Sequence, residues 1–241
     1  MTDDWHKMPM KKLILATSNP GKLREIGEYL TDIDLELQLK PDDLEIEETG
    51  ATFAENAYLK AAQIALTLGE WSIADDSGLE VTGLGNAPGI YSARYGENDR
   101  ERIDRLVREL GDNQDRSARF VCVIAIARPD GEIALSATGI CTGEILTSTR
   151  GKGGFGYDPI FYVPEYALTF AEMSPELKRK ISHRGRAFQQ LLPHLKTLAG
   201  TNSLRLWLVQ HDKSFLSRDS QQFVKIPATH RIGAKLGTVQ G

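Results

Sequence analysis

Four short polar clusters gather the residue types that could do chemistry: SNPGK at 18–22, ADDSG at 74–78, GGFGYDP at 153–159 and SHRG at 182–185. They supply adjacent carboxylates, several cations and two glycine-containing turns. Asp75 and Asp76 stand side by side, and in an extended chain neighbouring side chains point to opposite sides. One can therefore face a site while the other supports the loop. Carboxylate oxygens suit magnesium, which keeps much of its water. The set matches the task of holding a metal-bound polyphosphate and bringing water to it. The acidic run EIEETG (45–50) is a second source of hard-metal ligands, with a solvated charge run as the competing reading.

Each cluster also has a plain alternative. GKGGFG (151–156) fits G-x-G-x-x-G, but Tyr157, Asp158 and Pro159 follow at once, so it reads as a turn and the dinucleotide fingerprint is rejected. SNPGKL departs from the P-loop pattern, with Ala16 in place of the first glycine and Leu23 in place of Ser/Thr. ADDSG could be a turn using Asp and Gly for local hydrogen bonds. KRKISHRGR (178–186) holds Lys178, Arg179, Lys180, His183, Arg184 and Arg186, a nucleic-acid patch, a solvated connection or a site for a compact anion. Phe155 and Tyr157 could stack on a base or simply pack.

The elements that must position these residues read as alternating strands and helices. KKLILATS (11–18) is a buried strand, followed by a helix with Asn19 as N-cap and Pro20 at its first position. A helix N-terminus carrying Lys22 favours an anion, because free N–H groups and the helix dipole point the same way. Thr52 and Glu55 form a capping-box pattern opening a second helix. WSIADDSG (71–78) reads as a strand ending in a carboxylate-rich turn. Ile103, Leu106, Val107 and Leu110 mark a helix near 99–110. FVCVIAIA (120–127) and 132–145 form a hairpin around RPDG. Ser174 and Pro175 start a short helix, and a longer one runs from about 185 to 199 with Phe188, Leu191, Leu192, Leu195 and Leu198 on one face. The class is α/β with a mixed sheet.

The chain has 241 residues, 26% of them charged and 41% hydrophobic, an ordinary soluble balance. Its net charge of −4 divides into −8 over the first 200 residues and +4 over residues 201–241. An acidic body suits metal-chelated anions better than nucleic acid, which selects a basic face. Cys122 and Cys141 lack metal-ligand spacing and are expected to stay reduced. No signal peptide and no run near the roughly 18 apolar residues of a membrane span is present, so a cytoplasmic location is expected.

With these motifs in view, the chain resembles the inosine triphosphate pyrophosphatase family, Ham1-like enzymes that hydrolyse non-standard purine nucleoside triphosphates. LATSNPGKLREI, EETGATFAENAYLKA, ADDSGLEV, APGIYSARY, GGFGYDPIF and ISHRGRA all occur in family order within residues 11–199. Ser18 departs from the glycine frequent there in the family. The resemblance implies a two-lobed α/β fold with a long central mixed β-sheet flanked by helices and a nucleotide cleft between lobes. It also implies a homodimer, one Mg²⁺ per subunit, and cleavage of ITP, dITP or XTP to a monophosphate and pyrophosphate. Carried over by residue, Thr17, Ser18, Asn19, Pro20, Gly21 and Lys22 line the triphosphate. Glu47 and Asp76 hold the metal, Asp76 is also the proton acceptor that activates water, and Ser77 touches substrate. Phe155, Gly156, Tyr157 and Asp158 contact the base, with Phe155 stacking; Lys178 meets phosphate; His183 and Arg184 read the purine 6-oxo group. Donors around a 6-oxo acceptor would leave adenine's amino group unpaired, a discrimination of roughly 10⁴-fold.

The expected organisation is a catalytic domain over 11–199, an N-terminal extension over 1–10 with Met1, Met8 or Met10 as the start, and a basic extension over 200–241 containing a candidate strand, RLWLVQ. No membrane and no nucleic-acid partner is expected. The competing functions are a pyrophosphatase for modified pyrimidine nucleotides and a non-enzymatic nucleotide or RNA binder.

Overall fold

The computed structural model describes residues 10–200; the chain before Met10 and the tail from 201, with its candidate strand, lie outside the described residues. In chain order the elements are β1 (Lys12–Leu15), α1 (Pro20–Leu30), β2 (Glu36–Leu39), α2 (Phe53–Leu68), β3 (Ser72–Val81), β4 (Ala87–Pro88), α3 (Asp99–Leu110), β5 (Ser117–Ala127), β6 (Ile133–Ile145), β7 (Phe161–Val163), β8 (Leu168–Thr169), α4 (Pro175–Ile181) and α5 (His183–Leu198). One mixed sheet runs β2-β1-β3-β5-β6-β7-β8, with β4 beside β3. The connections explain the mixture. Helical crossovers through α1 and α2 make β1 parallel to both β2 and β3. A tight turn, closed by Gly131 N–H donating to Arg128 O at 2.8 Å, makes β5 and β6 antiparallel.

Period-two alternation splits the apolar residues between the sheet's faces. Val121, Val123 and Ala125 of β5 lie under α2 with Ala57, Ala61 and Ile64. Cys122, Ile124 and Ile126 lie on the other face, with α1 and α5, in a cluster containing Leu13, Ile26, Phe188 and Leu191. Further along that face, Phe120 joins a separate cluster with Leu106, Phe161 and Phe170. The long strands β3 and β5 thus pass from one apolar centre into another, and these centres are the two lobes.

Local capping follows the sequence closely. Asn19 Oδ1 accepts from Gly21 N at 2.9 Å and Lys22 N at 3.1 Å, opening α1. Thr52 Oγ1 accepts from Glu55 N at 3.1 Å, while Glu55 Oε2 reaches one residue past the box to Ala51 N at 2.7 Å. Each such cap contributes about 0.5–2 kcal/mol. Three boundaries differ from expectation. β3 does not end at the acidic pair but continues to Val81, because all ten of its residues pair with β5. α5 begins at His183, capped by Ser182 Oγ accepting from Gly185 N at 3.1 Å. Met10, placed with the N-terminal extension, is 1% exposed and its N–H donates to Leu198 O at 2.9 Å, so it belongs to the core.

Candidate active site

β3 places its two aspartates on opposite faces of the sheet. Asp76 opposes Val123 and faces the α2 side, whereas Asp75 opposes Ile124 and faces α1 and α5. Both are buried, at 6% and 1% exposure.

On the Asp76 side the partner is Lys60, from the middle of α2. Its ammonium donates to Asp76 Oδ1 at 2.8 Å, Glu48 Oε1 at 2.7 Å and the Asp75 carbonyl at 3.0 Å. Glu48 also pairs with the half-exposed Arg94 at 2.5 Å. Burial works against the Lys60 charge, but Asp76 and Glu48 outweigh it and keep the ammonium protonated, with its pKa above the ordinary value. Asp76 is less well served. Burial pushes its carboxyl above the ordinary range and Lys60 and Lys22 offset only part of this. Its Oδ2 is buried without a hydrogen-bond partner among the described residues.

On the Asp75 side the donors crowd. Lys22 Nζ lies 2.5 Å from Oδ1, and Arg184 reaches Oδ2 through Nε at 3.0 Å and Oδ1 through Nη2 at 3.3 Å. Ser77 Oγ donates to Oδ1 at 3.1 Å, and the Cys122 thiol to Oδ2 at 2.8 Å. Burial alone would raise this carboxyl, yet Arg184 and Lys22 hold it well below the ordinary range. Burial and the neighbouring Asp75 push the Cys122 thiol well up, so it remains a protonated donor. Lys22 Nζ also lies 3.3 Å from the Asp75 carbonyl, so two ammonium groups, Lys22 and Lys60, converge on one oxygen.

From Arg184 the charges continue toward the second lobe. Its Nη1 donates to Glu25 of α1, and Glu25 also accepts from Lys178 at 2.8 Å. Lys178 donates to Asp158 Oδ2 at 2.6 Å. Burial disfavours the Lys178 charge, but Asp158 and Glu25 together keep it protonated. Asp158, with the single cation Lys178, is left raised by its burial. Cations and carboxylates therefore alternate through the cleft: Arg94, Glu48, Lys60 and Asp76, then Lys22, Asp75, Arg184, Glu25, Lys178 and Asp158.

The glycine turn closes over this line. Asp158 Oδ2 accepts from Phe155 N at 2.8 Å, and Asp99 Oδ2 from Gly156 N at 2.7 Å. The Phe155 ring lies on Gly21, where a Cβ would come within 2.7 Å of it, and Lys178 Nζ sits 5.0 Å from the ring centre. A cavity of about 200 Å³ opens here between the lobes, lined by Gly21, Glu25, Gly154, Phe155, Lys178 and Ser182 among others. His183 stacks on Phe120 with centroids 4.6 Å apart, its Nδ1 buried without a hydrogen-bond partner among the described residues. Burial and the nearby Arg184 hold its pKa well below the ordinary value, so the ring is neutral.

The Ham1 family model matches residues 13–194. The chain belongs to the Ham1 family. It is 62% identical over 193 residues to the dITP/XTP pyrophosphatase of a Nostoc species, covering 80% of this chain and 98% of that one. The Synechocystis dITP/XTP pyrophosphatase is 57% identical over 183 residues, covering 76% and 94%. Among solved structures, a HAM1 protein from Coxiella burnetii matches with a TM-score of 0.72 at 44% identity, covering 78% of this chain and 100% of its own. The likeness read from motif order is thereby a shown relationship, and so is the mixed-sheet fold.

Within this Ham1 fold the expected site residues fall into three groups. Lys22, Asp76, Ser77, Lys178 and Arg184 are brought together by side-chain bonds along β3 and its neighbours. Thr17, Ser18, Asn19, Pro20 and Gly21 form the turn into α1, and Phe155, Gly156 and Asp158 form the facing turn. Tyr157 differs: its side chain is in the second lobe's core, with its hydroxyl donating to Ser92 O at 2.9 Å, and its carbonyl accepts from Ile160 N and Phe161 N. Glu47 is exposed, and Glu48, its neighbour, is the acidic-run carboxylate that shares Lys60 with Asp76. Lys60, Glu25 and Arg94 were not singled out from the sequence, and Glu48 only as part of the acidic run 45–50. Lys60 and Glu25 lie in motifs that carry the family likeness, ENAYLKA and LREI, and that was the available signal.

Proposed function

We propose that the protein hydrolyses non-standard purine nucleoside triphosphates, the ITP, dITP and XTP class, to the nucleoside monophosphate and pyrophosphate in a Mg²⁺-dependent reaction. The observation that carries this is the bare, buried Asp76 Oδ2 beside two ammonium groups converging on the Asp75 carbonyl. A carboxylate with a free lone pair can accept a proton, and paired ammoniums beside it select a polyanion.

Hydrolysis adds water oxygen to the α-phosphorus, and the bond from that phosphorus to the α–β bridging oxygen breaks. Asp76 Oδ2 takes the water proton, and the electron pair leaves with pyrophosphate. Lys22 and Lys60 offset the negative charge that grows on the phosphate oxygens. The N-terminus of α1 adds N–H groups and the positive end of its dipole.

The donor set fits a hard divalent ion. Asp76 has an uncommitted oxygen, and the acidic run supplies a second carboxylate at the exposed Glu47, next to Glu48, whose two oxygens already meet Lys60 and Arg94. No preformed group of three or more candidate ligands exists among the described residues. Magnesium is commonly held by one or two carboxylates plus substrate phosphates, so two suffice. When bound, the ion withdraws charge from the phosphates and orients water.

The base end is read by the cavity between lobes. Phe155 offers a face, and Arg184 and main-chain N–H groups near His183 offer donors to a 6-oxo acceptor, while Lys178 meets phosphate. Adenine presents a donor there and leaves those groups unpaired. The family likeness also makes a homodimer part of this reading, checked by light scattering of the full chain.

The test is pyrophosphate release from dITP, XTP and ITP against ATP, GTP and modified pyrimidine triphosphates, with and without Mg²⁺. Preferential turnover of dITP, XTP and ITP with Mg²⁺ is expected. Equal turnover of ATP overturns the specificity, and activity unchanged by chelation overturns the metal requirement.

A further inference from the structure

Asp75 takes no direct part in the proposed chemistry, yet its carboxylate draws donors from α1, β3, β5 and α5. Two of them, Lys22 and Arg184, serve opposite ends of the nucleotide in the reading above. Ser77 is itself a proposed substrate contact. Cys122 is the donor with no path to a ligand: it is fully buried, and its hydrogen bond to Asp75 Oδ2 is the one the structure gives its thiol.

A carboxylate turns freely about its last torsion, a broad two-fold rotor. The long side chains of Lys22 and Arg184 can follow such a rotation. Cys122 is different: it is short, has one torsion, and stands opposite Ser77 in the ten-residue ladder between β3 and β5. Its sulfur is therefore fixed to the sheet.

We propose that the Cys122 thiol is a positioning residue for the pyrophosphatase reaction, holding Asp75 in the rotation that aims Lys22 at the phosphates and Arg184 at the base. This rests on the function proposed above. The competing role is packing, since buried cysteine behaves as a small hydrophobe.

The two roles make opposite predictions for two substitutions. If Cys122 only packs, Cys122→Ala is mild and Cys122→Ser, a hydroxyl among Ile124 and Leu13, is the harsher change in both Tm and KM. If it positions, Cys122→Ala raises KM for dITP about tenfold, the scale of one lost hydrogen bond to a charged group, with kcat changed less. Cys122→Ser then restores KM toward wild type even where it lowers Tm. KM unchanged in Cys122→Ala, in an enzyme whose wild type is active, overturns the proposal. An inactive wild type overturns the functional reading instead. Infrared spectra of the unmodified protein supply a readout independent of variant folding. The S–H stretch of Cys122, assigned by isotope editing or by its loss in Cys122→Ala, is expected well below that of Cys141, whose thiol donates to Thr142 O over a longer 3.8 Å. Coincident bands overturn the hydrogen bond and the proposal with it.

Discussion

Asp75 and Asp76 are chemically identical, adjacent and both buried, and the two faces of β3 treat them in opposite ways. One face surrounds its carboxylate with two cations, a hydroxyl and a thiol. The other provides a single ammonium and leaves an oxygen bare. The saturated group is a structural tie that joins α1 and α5 to β3 and β5; the starved group has spare bonding capacity. In a charged cleft, it is missing bonds that mark the reactive residue.

Substitutions can separate these roles. Asp76→Asn keeps the shape and an acceptor for Lys60 but removes the base, so kcat should fall by about 10²–10⁴-fold without loss of Tm. A normal rate in this variant would sink the assignment. Asp75→Ala leaves Arg184 and Lys22 without their shared anion, and stability should drop by about 3–5 kcal/mol in urea titrations, with activity lost as a consequence. Thermal melts against pH probe the same contrast more gently. Asp75, Glu25 and Glu48 are held below their ordinary pKa, so their stabilisation is complete above the ordinary carboxylate range and fades as pH falls through the lowered values. Asp76 is raised, so it costs stability at neutral pH and that cost is relieved on acidification. The acid limb of the Tm curve should therefore persist in Asp76→Asn and flatten in Asp75→Asn. The smallest effect is expected for Gly21→Ala. The helix gains a better former, yet the new Cβ displaces the Phe155 ring, so Tm should hold while KM rises severalfold.

Local signals were legible and long-range ones were not. Asn19, Thr52 and Ser174 announced their helices because a cap is a matter of three or four neighbouring residues. The opposite facing of Asp75 and Asp76 was legible for the same reason. The extent of β3 was not, since Asp-Asp-Ser-Gly has turn composition and only ten rungs with β5 override it. Gly78 is present because Ser92 Oγ would lie 2.6 Å from a Cβ there, not because the chain turns. Lys60 looked like one more helix lysine; its role comes from α2 lying across β3, which no spacing in α2 reveals. Tyr157 sits in a turn but follows the packing of the second lobe. The exposed Glu47 and the engaged Glu48 differ by one position in a run without regular structure, where periodicity has nothing to say.

The alternating cations and carboxylates of the cleft have a consequence for its surroundings. Each ammonium and guanidinium there already has an anionic companion supplied by the fold. A polyphosphate arriving at Lys22 and Lys60 meets cations whose charge the fold's own carboxylates already offset, and strips few mobile ions from solution. Nucleic-acid surfaces do the reverse, and release condensed counterions with a steep dependence on ionic strength. Affinity in this cleft should vary little with added monovalent salt and strongly with the supply of divalent ion, which absorbs the surplus negative charge that the substrate brings.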